Sequence, residues 1–298
     1  MRIPCIVALV LSPLLALAQP KDVEKVEIRS TPVAGNIHLL RGEGGNIAVS
    51  VGPDGLLVVD DEWAPLIGKV RAALRALSGG RVAYVLNTHV HRDHTGGNAV
   101  LGSEATIVAH AAVRERMSKP RTRQGETLPP APVHARPVIT FQQGLSLWFN
   151  GEEVRLTHLP SGHTDGDSTV YFVGSNVLHM GDLFFTDRFP VIDLEAGGSV
   201  EGYVRNVEQV LASLPPGARI IPGHGELADR AALERFAAML RETTALVRQK
   251  KAAGRTLEQV QREGLPERFK SFGEGHVTTA RWLEVVYTGL GGTAAVQR

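Results

Sequence analysis

Between Val26 and Asp60 the chain breaks into short apolar runs separated by turn residues: "NIHLL", "NIAVSV", the turn Pro53-Asp54-Gly55, then "LLVVD". Runs of this length and composition predict successive β-strands. The period then changes. In "PLIGKVRAALRAL", Leu66, Val70, Leu74 and Leu77 share one helical face, and the following "VAYVLN" reads as a buried strand. A second cycle starts near Leu145, where "LSLWF", Asn150-Gly151 and "EEVRLTHL" predict a hairpin closed by a two-residue turn. Strands "STVYFV" and "VLHMGD", a helix to about Ser213 and the strand "RIIP" follow. Next, "DRAALERFAAMLRETTALVRQKKAAG" carries Leu233, Phe236, Leu240 and Val247 at helical spacing, with Asp229 placed to cap its start and Gly254 its end. Two strand-rich blocks, each closed by helices, predict an α/β fold in which two β-sheets pack together with helices on the outer faces. Residues 118–137 hold five prolines and no periodicity, and are expected to form a long surface loop.

The N-terminus adds a different signal. Arg2 precedes an apolar stretch from Ile3 to Leu17, which ends in the small-x-small order Ala16-Leu17-Ala18. That is the pattern of a cleaved export signal, too short for a membrane anchor and interrupted by Pro4 and Pro13. Residues 1–18 are therefore expected to be a signal peptide and residues 19–298 a single domain with a helical C-terminal extension from about residue 229. The expected destination is the periplasm or the exterior, with no stable membrane anchor.

Cys5, the single cysteine, lies inside that signal. The mature chain would then have no disulfide, thiolate ligand or cysteine nucleophile, so nitrogen and oxygen must hold any metal. Without Arg2, the 32 bases and 31 acids of the full chain become 31 and 31. A net charge of zero gives no general pull towards a polyanion, and no nucleic-acid partner is expected.

Directly after the strand "VAYVLN" comes "NTHVHRDHTGG", residues 87–97. Ligands gather at the carboxyl ends of strands in sheets flanked by helices, so chemistry is expected here. In an extended loop His89 and His91 can point the same way and share one ion, while Asp93 and His94 can turn towards a second. Three later stretches add candidates: His163 in "SGHTDGD", Asp182 in "HMGDLFF" and His224 in "IIPGHGE". His110, His158 and His179 lie on or beside apolar runs and are read as packing or supporting histidines. Asp60 is a candidate to accept a hydrogen bond from a ligating histidine. Thr88 and Gly96-Gly97 are read as shaping the loop, and Arg114, Arg116, Lys119, Arg121 and Arg123 as a solvated face.

With these motifs in this order, the chain resembles the metallo-β-lactamase-fold metallohydrolases from about Val26 to Thr288. The resemblance implies an αββα sandwich of two mixed β-sheets. It also implies two Zn²⁺ ions: the first held by His89, His91 and His163, the second by Asp93, His94 and His224, with Asp182 bridging them. Imidazole and carboxylate suit zinc, while leaving iron and manganese open. Histidine at position 91, where the family's oxygen-reducing diiron branch has glutamate, favours zinc and hydrolysis.

The implied reaction is attack by a metal-held hydroxide on the carbonyl of a small-molecule substrate, a cyclic or activated acyl compound such as a β-lactam, lactone or ester. Asp93 would be both ligand and catalytic residue, orienting the water and relaying its proton. The pattern departs from the common β-lactamases. Their largest group has a cysteine ligand and an arginine where His94 stands, and another subclass has serine at the position of Asp182. A bridging aspartate is more similar to the glyoxalase II, lactonase and phosphodiesterase branches, so a thioester or phosphodiester hydrolase is the alternative. A non-enzymatic metal-binding protein is disfavoured, because seven ligands for two ions leave room for water.

The C-terminal stretch resembles the tail of a group of exported family members, with only scattered Arg262, Arg268 and Lys270 to bind a glutathione group. Substrate choice is expected to rest on residues 118–137, the stretch Phe184 to Ser199 and the tail. Of Phe184, Phe185 and Phe189, at least two are expected in the core.

Overall fold

A computed structural model describes residues 22–123 and 126–291, so the expected signal peptide lies outside the described residues. A seven-stranded sheet runs in the spatial order β1 (Arg29–Ala34), β2 (Ile37–Arg41), β3 (Ile47–Gly52), β4 (Gly55–Val59), β5 (Val82–Asn87), β6 (Thr106–His110) and, after a separate two-stranded ribbon of β7 (Arg121–Arg123) and β8 (Glu126–Leu128), β9 (Ile139–Phe141). Its first four strands are antiparallel, and β4, β5, β6 and β9 are parallel. The second sheet is β10 (Gly144–Phe149), β11 (Glu152–His158), β12 (Ser168–Phe172), β13 (Val177–His179) and β14 (Arg219–Ile221), antiparallel except for the last pair. Both sheets are mixed, as expected.

Side-chain alternation divides the core into layers. Leu39, Leu57, Val59 and Leu86 from the first sheet meet Val154, Leu156, Val170 and Phe172 from the second. Their sequence neighbours Leu40, Val58 and Val85 point the other way, onto Val70 and Leu74 of α1 (Ile67–Leu77). Three short helices follow the central strands of this sheet: α2 (Arg92–Thr95), α3 (Asn98–Leu101) and α4 (Ala111–Met117). The outer face of the second sheet is covered by α5 (Val200–Ser213), α6 (Arg230–Ala252), α7 (Leu257–Glu263) and α8 (Thr279–Gly289), which bury Tyr203, Phe236, Leu240, Val260 and Trp282. Each such aromatic or aliphatic side chain contributes about 1.5–3 kcal/mol on burial. Among the described residues no helix is long and apolar enough to cross a membrane.

Local signals account for the element ends. Asn150 (φ 49°) and Gly151 (φ 83°) both adopt the left-handed backbone that a tight β10–β11 turn requires. Asp229 accepts the Ala232 N–H at 2.9 Å to cap α6. Two expectations are corrected. Residues 118–137 are not one irregular loop, because β7 and β8 pair within them. The strand read as "VLHMGD" stops at His179, where Gly181 (φ 51°) turns the chain into a short 3-10 helix that carries Asp182 beyond the strand.

Candidate metal centre

Four connections at one edge of the sandwich bring the seven candidate residues together. His89, His91, Asp93 and His94 follow β5, His163 follows β11, Asp182 follows β13 and His224 follows β14. His89, His91, His163 and Asp182 form one group and Asp93, His94 and His224 another, each with ligand-capable atoms within 4.8 Å of one another. Asp182 faces both groups: its Oδ2 is 3.3 Å from His163 Nε2 and 3.7 Å from His89 Nε2, and its Oδ1 is 3.0 Å from His94 Nε2 and 3.4 Å from His224 Nε2. Asp93 Oδ2 lies 3.2 Å from His224 Nε2.

The residues around these groups hold them in place. His94 Nδ1 donates to Asp60 Oδ2 at 2.7 Å, the hydrogen bond for which Asp60 was a candidate. Asp60 also accepts the Thr88 N–H and Oγ1, each at 2.8 Å. Thr88 Oγ1 is 3.0 Å from His89 Nδ1, and His163 Nδ1 donates to the Val191 carbonyl at 2.7 Å. Gly97 N–H donates to Asp61 Oδ1 at 2.8 Å, tying the histidine loop to the end of β4. Close approach demands glycine at two positions: a Cβ on Gly45 would fall 2.3 Å from the His94 ring, and one on Gly223 would fall 2.1 Å from Asp182 Oδ1.

The donor set fits cations. His89 Nε2, Asp93 Oδ2 and Asp182 Oδ1 are buried and make no hydrogen bond, which would be costly unless another partner satisfied them. His163 Nε2 and His91 Nδ1 face each other at 2.8 Å, as do His94 Nε2 and His224 Nε2 at 3.3 Å. Burial lowers the His89 pKa far below the ordinary histidine range and takes His163 down to about 4, so both present lone pairs at neutral pH. Burial also opposes a charge on His94 and His224, but Asp182 and Asp93 outweigh it. They hold His94 well above its usual range and push His224 up to about 9. Burial likewise opposes charge on Asp182 and Asp93, and the neighbouring histidines, His94 first, keep both below the usual carboxylate range. Each of these shifts traces to two carboxylates buried among imidazoles, an environment that a cation would neutralise.

His110, His158 and His179 stand apart from both groups. His110 and His158 stack on each other, and His179 Nε2 donates to the Asn46 carbonyl at 3.0 Å. Phe184 packs on Phe236 and Phe189 on Trp282, whereas Phe185 lies parallel to the His224 ring at 5.1 Å. Arg116 is part-buried and paired with Asp165, whereas Lys119 pairs with Glu115 on an exposed face, as a solvated face predicts.

The cleft beside His224 was not anticipated in its walls. It measures about 590 Å³ and is lined by residues 25–27 and Arg29, by Arg41 to Gly44 with Asn46, and by Arg188. Residues 118–137, expected over the site, do not appear among its described lining. A small apolar recess of Phe185, Phe189, Val191 and Val277 adjoins His224 and Arg188, so the tail does contribute a wall. Asp193 was also missed: its Oδ2 accepts from His91 Nε2 at 2.9 Å across 102 positions of sequence, and no motif marks it.

A family model for the metallo-beta-lactamase superfamily matches residues 30–224. The hydroxyacylglutathione hydrolase of Gloeobacter violaceus is 28% identical over 180 residues, 58% of this chain and 61% of that protein. The metallo-beta-lactamase type 2 of Bacillus cereus is 26% identical over 181 residues, 60% of this chain and 66% of that protein. The chain thus spans less than two thirds of the length of either relative. Among solved structures, the inverting sec-alkylsulfatase Pisa1 from Pseudomonas sp. superposes with a TM-score of 0.66 at 14% identity, covering 91% of this chain and 52% of that one.

Proposed function

The chain belongs to the metallo-β-lactamase superfamily, and from that premise we propose that it is a dinuclear zinc hydrolase acting on the carbonyl of a small cyclic or activated acyl substrate. The observation that carries this reading is the placement of Asp182, whose two oxygens face two separate groups of buried ligand atoms. His89, His91 and His163 would hold the first ion, Asp93, His94 and His224 the second, and Asp182 would be shared. When bound, such a pair supplies Lewis acidity and a water acidic enough to lose its proton near neutral pH.

The chain's own residues supply the rest. Asp93 Oδ2 is buried without a hydrogen bond, which suits it to orient the attacking water and take its proton. Phe185 lies parallel to the His224 ring and backs it with an apolar face. The cleft admits a small polar substrate past Arg41, Arg188 and the backbone of Gly42 to Gly44, and the recess by Phe185 and Val277 suits an apolar substituent.

A thioester substrate is the second reading, favoured by the relative named as a hydroxyacylglutathione hydrolase. Against it, Arg268 and Lys270 of the tail pair with Glu242 and Glu267 at the surface. Export through removal of residues 1–18 accompanies the proposal, and the mass of the mature protein tests it.

The decisive experiment measures metal content by mass spectrometry together with turnover of a β-lactam, an aryl lactone, a thioester and a phosphodiester, before and after chelation. Two zinc ions and chelator-sensitive turnover of an acyl substrate are expected. A metal-free protein, or turnover of the phosphodiester alone, overturns the proposal.

A further inference from the structure

Of the seven candidate ligands, His91 is the one that burial fixes least. Its side chain is 21% exposed, whereas those of His89, His94 and His163 are at most 1% exposed. It sits before the first turn of α2 in extended backbone (φ −69°, ψ 150°), so the helix does not set its ring either. To offer Nδ1 towards His163 Nε2, 2.8 Å away, the ring must carry its proton on Nε2, and that proton needs an acceptor.

We propose that Asp193 is a positioning residue for the first metal: its carboxylate holds His91 in the Nδ1-coordinating tautomer, and the loop from Val191 to Ser199 sets the geometry of that half of the centre. The inference rests on the dinuclear reading above. Asp193 Oδ2 accepts the His91 Nε2 proton at 2.9 Å, while its Oδ1 accepts the Ala196 N–H at 2.9 Å and so has its own direction fixed. The same loop reaches His163 through the Val191 carbonyl, 2.7 Å from Nδ1. Two ligands that arrive from different sheets, His91 after β5 and His163 after β11, are thereby oriented by one segment.

That segment is well anchored. Asp193 N–H donates to the His163 carbonyl, Asp165 N–H to the Ala196 carbonyl and Ser199 N–H to the Gly162 carbonyl, each at 2.9 Å. Arg116 of α4 then clamps Asp165 with two bonds of 2.8 and 2.7 Å. Gly198 permits the close contact, since a Cβ there would lie 2.3 Å from the His163 carbonyl oxygen. Asp60 performs the corresponding task for His94, so each half of the centre has its own supporting carboxylate.

The test is a competitive zinc titration of the full chain, wild type against Asp193→Asn and Asp193→Ala, with cobalt(II) absorption spectra as a second readout of the ligand field. Wild type should bind two equivalents. Asp193→Ala should weaken one of them by about 10- to 100-fold, leave the other unchanged and alter the cobalt spectrum. Asp193→Asn, which keeps an acceptor and loses the charge, should fall between. Thermal melts in chelator report whether each variant folds. If the alanine variant does not, the isosteric asparagine variant decides, and a severalfold loss confined to one equivalent is required. Two equivalents in wild type with unchanged affinities and spectra in the folded variants overturn the role of Asp193 and leave the dinuclear reading standing. A wild-type chain that takes up no metal overturns both.

Discussion

Asp60 lies at φ 63° at the end of β4, with its Oδ2 2.7 Å from Nδ1 of His94. The strained backbone aims a fully buried carboxylate at a ring 34 positions further along the chain. Asparagine also tolerates this left-handed conformation, so Asp60→Asn removes the charge with little backbone cost. Zinc affinity at the His94 position should fall about 10- to 100-fold while the first equivalent is spared. Competitive zinc titration checks this, and equal affinities would remove Asp60 from the centre.

Asp93→Ala should reduce kcat by at least about 100-fold, the range expected when a general base is lost. Its carboxylate is 5% exposed and faces His224 and His94, so the substitution leaves the sheets intact. Turnover has to be compared at equal metal content. Near-wild-type kcat under that condition would refute the proposed role.

Metal removal should lower thermal stability. Two carboxylates and five imidazoles converge in a largely buried space, and a cation that binds only the folded chain stabilises it by mass action. With zinc at about one hundred times its dissociation constant, chelation should lower Tm by about 5 °C or more, and added zinc should restore it. Identical melts with and without chelator would contradict a resident metal.

Most of the candidate site was legible because its residues sit in the connections that follow strands, where His and Asp near glycine stand out against apolar runs. His89 to His94, His163, Asp182 and His224 all follow that rule, and the structure gathers them at one edge. The fold was legible for a similar reason, since Asn150-Gly151 and Asp229 mark element ends by their own backbone chemistry. Asp193 left no such mark, because an aspartate in an irregular segment acquires its role from backbone bonds to residues far away in sequence. The cleft walls at Lys25, Arg29 and Arg41 were hidden likewise, as a surface assembled from distant segments has no period.

The tail should prove integral to the site's wall. Trp282 of α8 is fully buried, stacks on Phe189 at 5.3 Å and 8°, and donates its indole N–H to Thr243 Oγ1 at 3.0 Å. Trp282→Ala should cost about 3–5 kcal/mol and raise KM as Phe189 loosens beside the recess. Thr243→Val leaves the indole N–H unpaired and should cost about 1–3 kcal/mol with KM little changed. Urea denaturation and steady-state kinetics separate the two, and a Trp282→Ala protein of wild-type stability would refute the packing argument.

Acid should weaken the junction between the sheets through the His110–His158 pair. The rings stack 3.7 Å apart, joining the end of β6 to the end of β11, with His110 Nε2 donating to the Gln142 carbonyl and His158 Nδ1 to the Asp167 carbonyl. Burial lowers both pKa values, and for His110 the neighbouring His158 lowers it further. The folded chain therefore binds these protons less readily than the unfolded chain, whose histidines titrate near about 6.5. The pair's contribution to stability is fully present above that pH and is lost as pH falls through the lowered folded values. The stability difference between wild type and His158→Gln, measured by urea denaturation in one metal state, should shift in favour of the variant from pH 7 to pH 5. Parallel stability curves across that range would show that the pair does not titrate with folding.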